Sequence, residues 1–274
     1  MLLRIIFKFF VFVFVVFIQW NNSVVSQTQK LNQNFRPFTD LTLELSSPAE
    51  TLLPLKPIPV VIKQSNRTNQ PILGYDSIGF GKSFIYLFVQ KVGSDERTQI
   101  YPLTTLTGLM GIKNSEVLPG SSCEAKEWIS LGVRRYFPEA GTYELQATLR
   151  NDNGTQVIES NRITIDIQEP TGRDREVYNL IRNSPRVDYL FTDAEFDKNE
   201  NILETIATRF QNSNYAKSAF YVLGEEHYIR KQHQQALVYF LRLENDNGFI
   251  FAEKVRKYLA SIRQATPIEL LEDN

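Results

Sequence analysis

YFPEAGTYELQATLR, residues 136–150, decides how the first half of the chain is read. Pro138 and Gly141 punctuate a turn, since proline presets φ and glycine accepts positive φ. Beyond them Tyr143, Leu145, Ala147 and Leu149 alternate with Glu144, Gln146 and Thr148. A period of two sends these sets to opposite faces of a strand. Asn151-Asp152-Asn153-Gly154 follows, residues that tolerate left-handed backbone. A hairpin there returns the chain through Val157-Ile158 and then Ile163, Ile165 and Ile167.

The same period extends upstream. Leu41, Leu43 and Leu45 alternate with Thr42 and Glu44. Val60 to Ile62 form an apolar run after Pro54, Pro57 and Pro59, and those prolines put the start of that strand at a sheet edge or outside pairing. Ile85, Leu87 and Val89 alternate with Phe84, Tyr86 and Phe88, which predicts a strand buried on both faces. Short strands separated by turn signals predict an antiparallel sandwich over residues 38–169. Residues 137–143, Phe-Pro-Glu-Ala-Gly-Thr-Tyr, resemble the entry to a late strand of immunoglobulin-like sandwiches. That resemblance gives Tyr143 the role of a corner tyrosine bonded back to nearby backbone. The disulfide of antibody domains has no counterpart, because Cys123 is the only cysteine.

After Glu169-Pro170 the period becomes helical. Thr171 to Asp174 and Thr192 to Glu195 have the spacing of capping boxes. Apolar stripes follow at Val177, Leu180 and Ile181, and at Phe196, Leu203, Ile206 and Phe210. Further stripes run through Ala216, Ala219, Phe220 and Leu223, through Ala236, Leu237 and Phe240, and through Ala252, Val255, Leu259 and Ile262. Phe220, Leu223, Gly224, Ala236 and Phe240 resemble the tetratricopeptide repeat, with His227 at a position usually aromatic. The resemblance implies paired helices that engage a protein or peptide, and it makes Phe220, Leu223, Gly224, His227, Ala236 and Phe240 candidate partner-binding or repeat-motif residues. The helical unit is assigned to residues 171–265, followed by an acidic tail over 266–274.

The chain has 274 residues, 42% hydrophobic and 22% charged, a globular balance. Its first residues have the order of a secretory signal. Arg4 and Lys8 precede the apolar run Phe9–Ile18, and small residues end at Ser26. Cleavage after Ser26 leaves 28 basic against 31 acidic side chains, a net charge of −3. Ten clean apolar residues fall short of the roughly 20 that span a bilayer. A membrane association is expected only through this segment if it stays uncleaved. The near-neutral balance argues against a nucleic-acid partner.

Each chemical motif competes with a structural role. Gly81-Lys82-Ser83 ends like a phosphate-binding loop, but Asp76 stands where its first glycine belongs. A strand rather than a helix follows, so no nucleotide is expected. Asp193, Glu195, Asp197, Asn199, Asn201 and Glu204 have calcium-loop spacing, yet Lys198 replaces the required glycine. Glu225, Glu226, His227 and His233 lack the four-residue histidine spacing of a shared helical metal face. Cys123 has no histidine near it in sequence and reads as a bystander or intermolecular thiol.

The sequence therefore predicts a multidomain all-β plus all-α chain: an immunoglobulin-like antiparallel β-sandwich followed by a short α-helical, tetratricopeptide-like repeat unit. The predicted function is a non-enzymatic, exported protein-binding or scaffold protein of the periplasm or cell envelope, with no cofactor or metal. It would use the helical repeat face or the sandwich edge. The alternatives are an enzyme or enzyme subunit with its site between the two parts, and an adhesion or carbohydrate-binding module.

Overall fold

The computed structural model describes residues 35–79, 84–100, 114–130, 132–192 and 195–265. The signal-like segment 1–26, residues Phe80 to Ser83, Asp193 and the tail 266–274 lie outside the described residues.

Among the described residues, nine strands come first. They are β1 (Thr42–Ser46), β2 (Ile58–Ser65), β3 (Ile72–Tyr75), β4 (Phe84–Lys91), β5 (Arg97–Ile100), β6 (Asn114–Val117), β7 (Ser122–Ile129), β8 (Gly141–Arg150) and β9 (Val157–Ile167). A one-turn helix, α1 (Val133–Tyr136), interrupts them. Then come α2 (Gly172–Ile181), α3 (Phe196–Arg209), α4 (Ala216–Ile229), α5 (His233–Leu241) and α6 (Ala252–Ala265).

The expected two-sheet immunoglobulin-like sandwich joined to a tetratricopeptide-like unit is not the architecture that forms. The described strands sort into three antiparallel sheets, ordered β1-β2-β7, β3-β6 and β5-β4-β8-β9, and the whole is a mixed α/β molecule. β3 and β6 form a separate two-stranded ribbon, and Gly74 lets the backbone of β3 lie close to its neighbours. A Cβ there would lie 2.8 Å from Leu41. Nor do the helices fold as an independent repeat unit. Leu53 and Leu55, from the proline-rich segment before β2, sit in the helical core, and Trp128 of β7 packs against it. Tyr215 donates its hydroxyl to the Pro54 carbonyl at 2.7 Å, and the buried Lys56 ammonium is held by Glu50 at 3.2 Å and the Thr51 carbonyl at 2.8 Å. Burial holds the Lys56 ammonium below its ordinary pKa, with Glu50 acting against that effect.

The alternation read from the sequence explains the first core. Leu41, Leu43 and Leu45, then Ile85, Leu87 and Val89, then Tyr143, Leu145, Ala147 and Leu149 all point into it. Side chains of this size stabilise by roughly 1.5–3 kcal/mol each when fully buried. The opposite face of β4 is half-exposed rather than buried. Arg97 lies 4.3 Å over the Phe88 ring and Arg150 lies 4.8 Å over Tyr86, so guanidinium groups cover it instead of a second layer. The corner is present locally, with Tyr143 Oη donating to the Glu139 carbonyl at 2.9 Å. Asn161 ties β1 to β9, its side chain bonding both the N–H and the C=O of Leu45 at 2.9 Å.

The two capping boxes do not form. Thr171 makes no side-chain cap bond. Asp174 instead accepts the Asn214 backbone N–H and side-chain amide, each at 2.7 Å, and so clips α2 to the turn before α4. Thr192 donates to the Tyr189 carbonyl, and α3 starts four residues later behind Glu195, whose φ is 59°. At the helical core, α4 and α5 approach closely through Gly224, which lies against the buried Phe240 ring.

Candidate functional site

A groove of about 940 Å³ opens between β7 and the helices α4 and α6. One wall is β7 itself. Ala125 and Ile129 turn into the first core, so Glu124, Lys126 and Trp128 lie on the opposite face of the strand. α4 supplies Tyr221, Val222, Glu225 and Ile229 to the facing wall, and the start of α6 adds Phe251, Lys254 and Lys257.

The floor is aromatic. The Trp128 ring meets Tyr221 at 5.2 Å, Phe251 at 4.8 Å and Phe249 at 5.7 Å, all edge-to-face. Tyr221 stacks on Phe251 at 4.7 Å. Such pairs add about 0.5–1.5 kcal/mol beyond their buried area, so the cluster is a rigid platform. Lys254 Nζ lies 5.7 Å from the centre of the Tyr221 ring.

Glu225 is the polar hub of this platform. It accepts Lys254 Nζ at 2.6 Å, Tyr258 Oη at 2.8 Å and Tyr221 Oη at 3.2 Å. Burial pushes the Tyr221 and Tyr258 phenols well above their ordinary pKa, and the adjacent Glu225 charge adds to the effect. Both therefore remain neutral hydrogen-bond donors at physiological pH. The rim mixes charge, with five glutamates (Glu124, Glu127, Glu225, Glu226, Glu253) facing three lysines (Lys126, Lys254, Lys257).

The six repeat-motif residues lie elsewhere. Phe220, Leu223, Gly224, His227, Ala236 and Phe240 are all buried inside the helical layer. His227 Nδ1 is 2.7 Å from Gln232 Oε1, its ring stacks on Tyr239 at 5.7 Å, and Nε2 is 4.0 Å from Glu200. The surface that α4 offers to the groove is thus the set of positions next to the motif. Glu225, singled out with His227 as a weak metal set, faces the groove, and His227 faces α3 and α5. No group of three His, Cys, Asp or Glu side chains that could hold a metal exists among the described residues. From Asp197 on, the acidic run is helical rather than looped: Asp197 pairs with Arg230 at 2.7 Å, and Asn199 is buried in α3.

Cys123 lies on β7, half-buried, with Sγ 3.9 Å from the Tyr75 carbonyl. Burial raises its pKa and the Asp76 charge adds to this, which favours the thiol over the thiolate. Gly79 has φ 144°, and a Cβ there would lie 2.6 Å from Glu127 Oε1. The positive φ is what requires glycine here, and the chain then enters β4. A phosphate-binding loop would enter a helix. Among the described residues, no helix is long and apolar enough to cross a membrane.

Sequence reasoning missed Trp128, Lys126, Phe251 and Lys254. The available signal was Glu124-x-Lys126-x-Trp128, an alternating charged and aromatic face on a strand, together with Phe249-Ile250-Phe251 behind the Asn247-Gly248 turn.

No family model matches the chain, and no curated protein matches it. Among solved structures, a sporulation control protein, Spo0M from Bacillus subtilis, is similar at TM-score 0.29 and 12% identity over 53% of this chain and 55% of that one. A β-glucosidase from Listeria innocua in complex with isofagomine gives TM-score 0.27 and 10% identity over 48% of this chain and 16% of the enzyme. AvmM, which catalyses macrocyclization in alchivemycin A biosynthesis, gives TM-score 0.25 and 10% identity over 50% of this chain and 93% of that one. Likeness at this level carries no argument about fold or function.

Proposed function

We propose that the chain is an exported, non-enzymatic binding protein of the cell envelope that receives a peptide segment of a partner protein in the groove between β7, α4 and α6. The observation that carries the reading is the groove's composition. A rigid aromatic floor at Trp128, Tyr221 and Phe251 is rimmed by glutamates and lysines of mixed sign. Aromatic anchors bounded by a polar rim are the usual make-up of protein-recognition surfaces. Export is supported by the order of Arg4, Lys8, the apolar run Phe9–Ile18 and the small residues ending at Ser26.

A library of linear peptides screened against the full chain tests this. Peptides that bind should share a large apolar residue and lose affinity to an Ile229→Asp variant. Ile229 is 62% exposed on the groove's rim, so the change leaves the fold intact. Selection of peptides indifferent to both Ile229→Asp and Lys254→Glu would contradict the reading.

A further inference from the structure

β7 also supplies a means of holding such a segment. Among the described residues it pairs on one side alone, with β2. The register shows which backbone groups that leaves open. Pro59, opposite Trp128, has no N–H, and its carbonyl accepts Ser47 Oγ at 2.8 Å on the β1 side. Leu45, opposite Ile62, turns its own N–H and C=O away from β2 to Asn161. Just beyond the ladder, the Asn66 N–H donates to the Ser121 carbonyl at 3.0 Å. Bonded and non-bonded pairs alternate along an antiparallel ladder, and all three observations set the same phase. Cys123, Ala125 and Glu127 bond to β2. Glu124, Lys126 and Trp128 point their N–H and C=O groups out along the edge that borders the groove. An open edge of this kind is a template for an added strand.

We propose that the partner segment adds to β7 as an antiparallel strand with the pattern Φ-x-(Asp/Glu)-x-(Lys/Arg), read from N to C, where Φ is a large apolar residue. This rests on the peptide-binding reading above and specifies its ligand. Directly opposed residues in an antiparallel pair bring their side chains to about 4.5–5.5 Å on one face. The pattern therefore sets Φ against Trp128, an acid against Lys126 and a base against Glu124. A strand about 4.8 Å from β7 lies in the groove, with Φ over the Trp128–Phe251 platform. The strand pairings within the three sheets are all antiparallel. A second copy of β7 turned about Ala125 would also oppose Glu124 with Lys126, but it would set Ser122 against Trp128 and leave the platform empty.

The probe is a labelled, end-blocked peptide Ser-Phe-Thr-Glu-Thr-Lys-Ser, titrated into the full chain by fluorescence anisotropy. N-methylation of its Phe, Glu or Lys removes a bond to β7 and should weaken binding at least about tenfold, whereas N-methylation of either Thr should change it less than about twofold. Lys126→Glu should weaken binding roughly two- to fivefold, and replacing the peptide's Glu by Lys should restore it. Glu124 and Lys126 are exposed, so substitution there leaves the core in place. Binding that depends on Ile229 but ignores N-methylation would overturn strand addition and leave the peptide-binding reading standing. Equal affinity for the reversed peptide would overturn the antiparallel register. A dimer dispersed by Lys126→Glu in sedimentation would show a second copy on the edge and overturn the proposal. Failure of the probe while library peptides bind would overturn the pattern alone.

Discussion

Replacing Gly224 with alanine sets two effects of known sign against each other. In a helix interior, alanine is favoured over glycine by about 1 kcal/mol. At this position the new Cβ would stand 2.6 and 2.7 Å from Cε1 and Cδ1 of Phe240. Carbon atoms prefer about 3.5–4.0 Å, so α4 and α5 must separate by roughly 1 Å. The Phe240 ring cannot swing aside, being fully buried and stacked on Tyr258 at 5.1 Å. Overpacking of this kind costs about 1–3 kcal/mol, which outweighs the helical gain and leaves a net loss of about 1 kcal/mol. For a domain of this size that lowers Tm by roughly 2–4 °C. Denaturant unfolding of Gly224→Ala, Phe240→Leu and the double variant measures it. The double variant should be more stable than the sum of the single changes implies, because the smaller leucine side chain makes room for the methyl group. A Gly224→Ala chain stabilised by the full helical preference, with no coupling to position 240, would refute the reasoning.

Trp128→Ala should lower stability by about 2–4 kcal/mol in urea unfolding, because it removes three edge-to-face contacts from a half-buried ring. A loss below about 0.5 kcal/mol would show that the platform is not packed as described. Tyr143→Phe should cost about 1 kcal/mol through loss of the bond to the Glu139 carbonyl, and an unchanged urea midpoint would deny that bond. The pH dependence follows from the tyrosines. Tyr75, Tyr215 and Tyr221 are raised above 10, chiefly by burial, with Tyr75 at about 12. Unfolded tyrosines lose protons near pH 10, so the native chain holds more protons above that point and its stability falls as pH rises. Absorbance at 295 nm should show a fraction of tyrosines titrating only as the circular dichroism collapses above pH 10. Smooth titration of all of them with the fold intact would contradict the burial. The proposed export with cleavage after Ser26 should leave Gln27 at the N-terminus by mass spectrometry, and retention of Phe9–Ile18 would contradict it.

Local structure was legible wherever the pattern itself determines it. The alternation at Leu41, Leu43 and Leu45 and from Tyr143 to Leu149 named core residues, and the Asn151–Gly154 turn marked the β8–β9 hairpin. The apolar stripes located α2 to α6 within a few residues. Architecture was not legible, because the choice among two sheets or three depends on contacts distant in sequence. No local signal says that Gly74 brings β3 onto Leu41, or that Leu53 and Leu55 leave the strands for the helical core. The capping spacing at Thr171 misled because Asp174 finds a better donor pair at Asn214, 40 residues away. The site was hidden for a related reason. The repeat motif marks residues that pack helix on helix, and those are interior. The residues that face outward, Trp128, Lys126 and Lys254, come from a strand and a helix that sequence alone does not bring together.

Amide hydrogen exchange along β7, resolved residue by residue by NMR, tests the central claim most directly. In the free chain, Cys123, Ala125 and Glu127 should be protected by β2, while Glu124, Lys126 and Trp128 should exchange rapidly into the open groove. Saturating the Phe-Thr-Glu-Thr-Lys probe should slow the second set and leave the first unchanged. Uniform protection of β7 in the free chain, or bound peptide that leaves Glu124, Lys126 and Trp128 exchanging as before, would contradict the account.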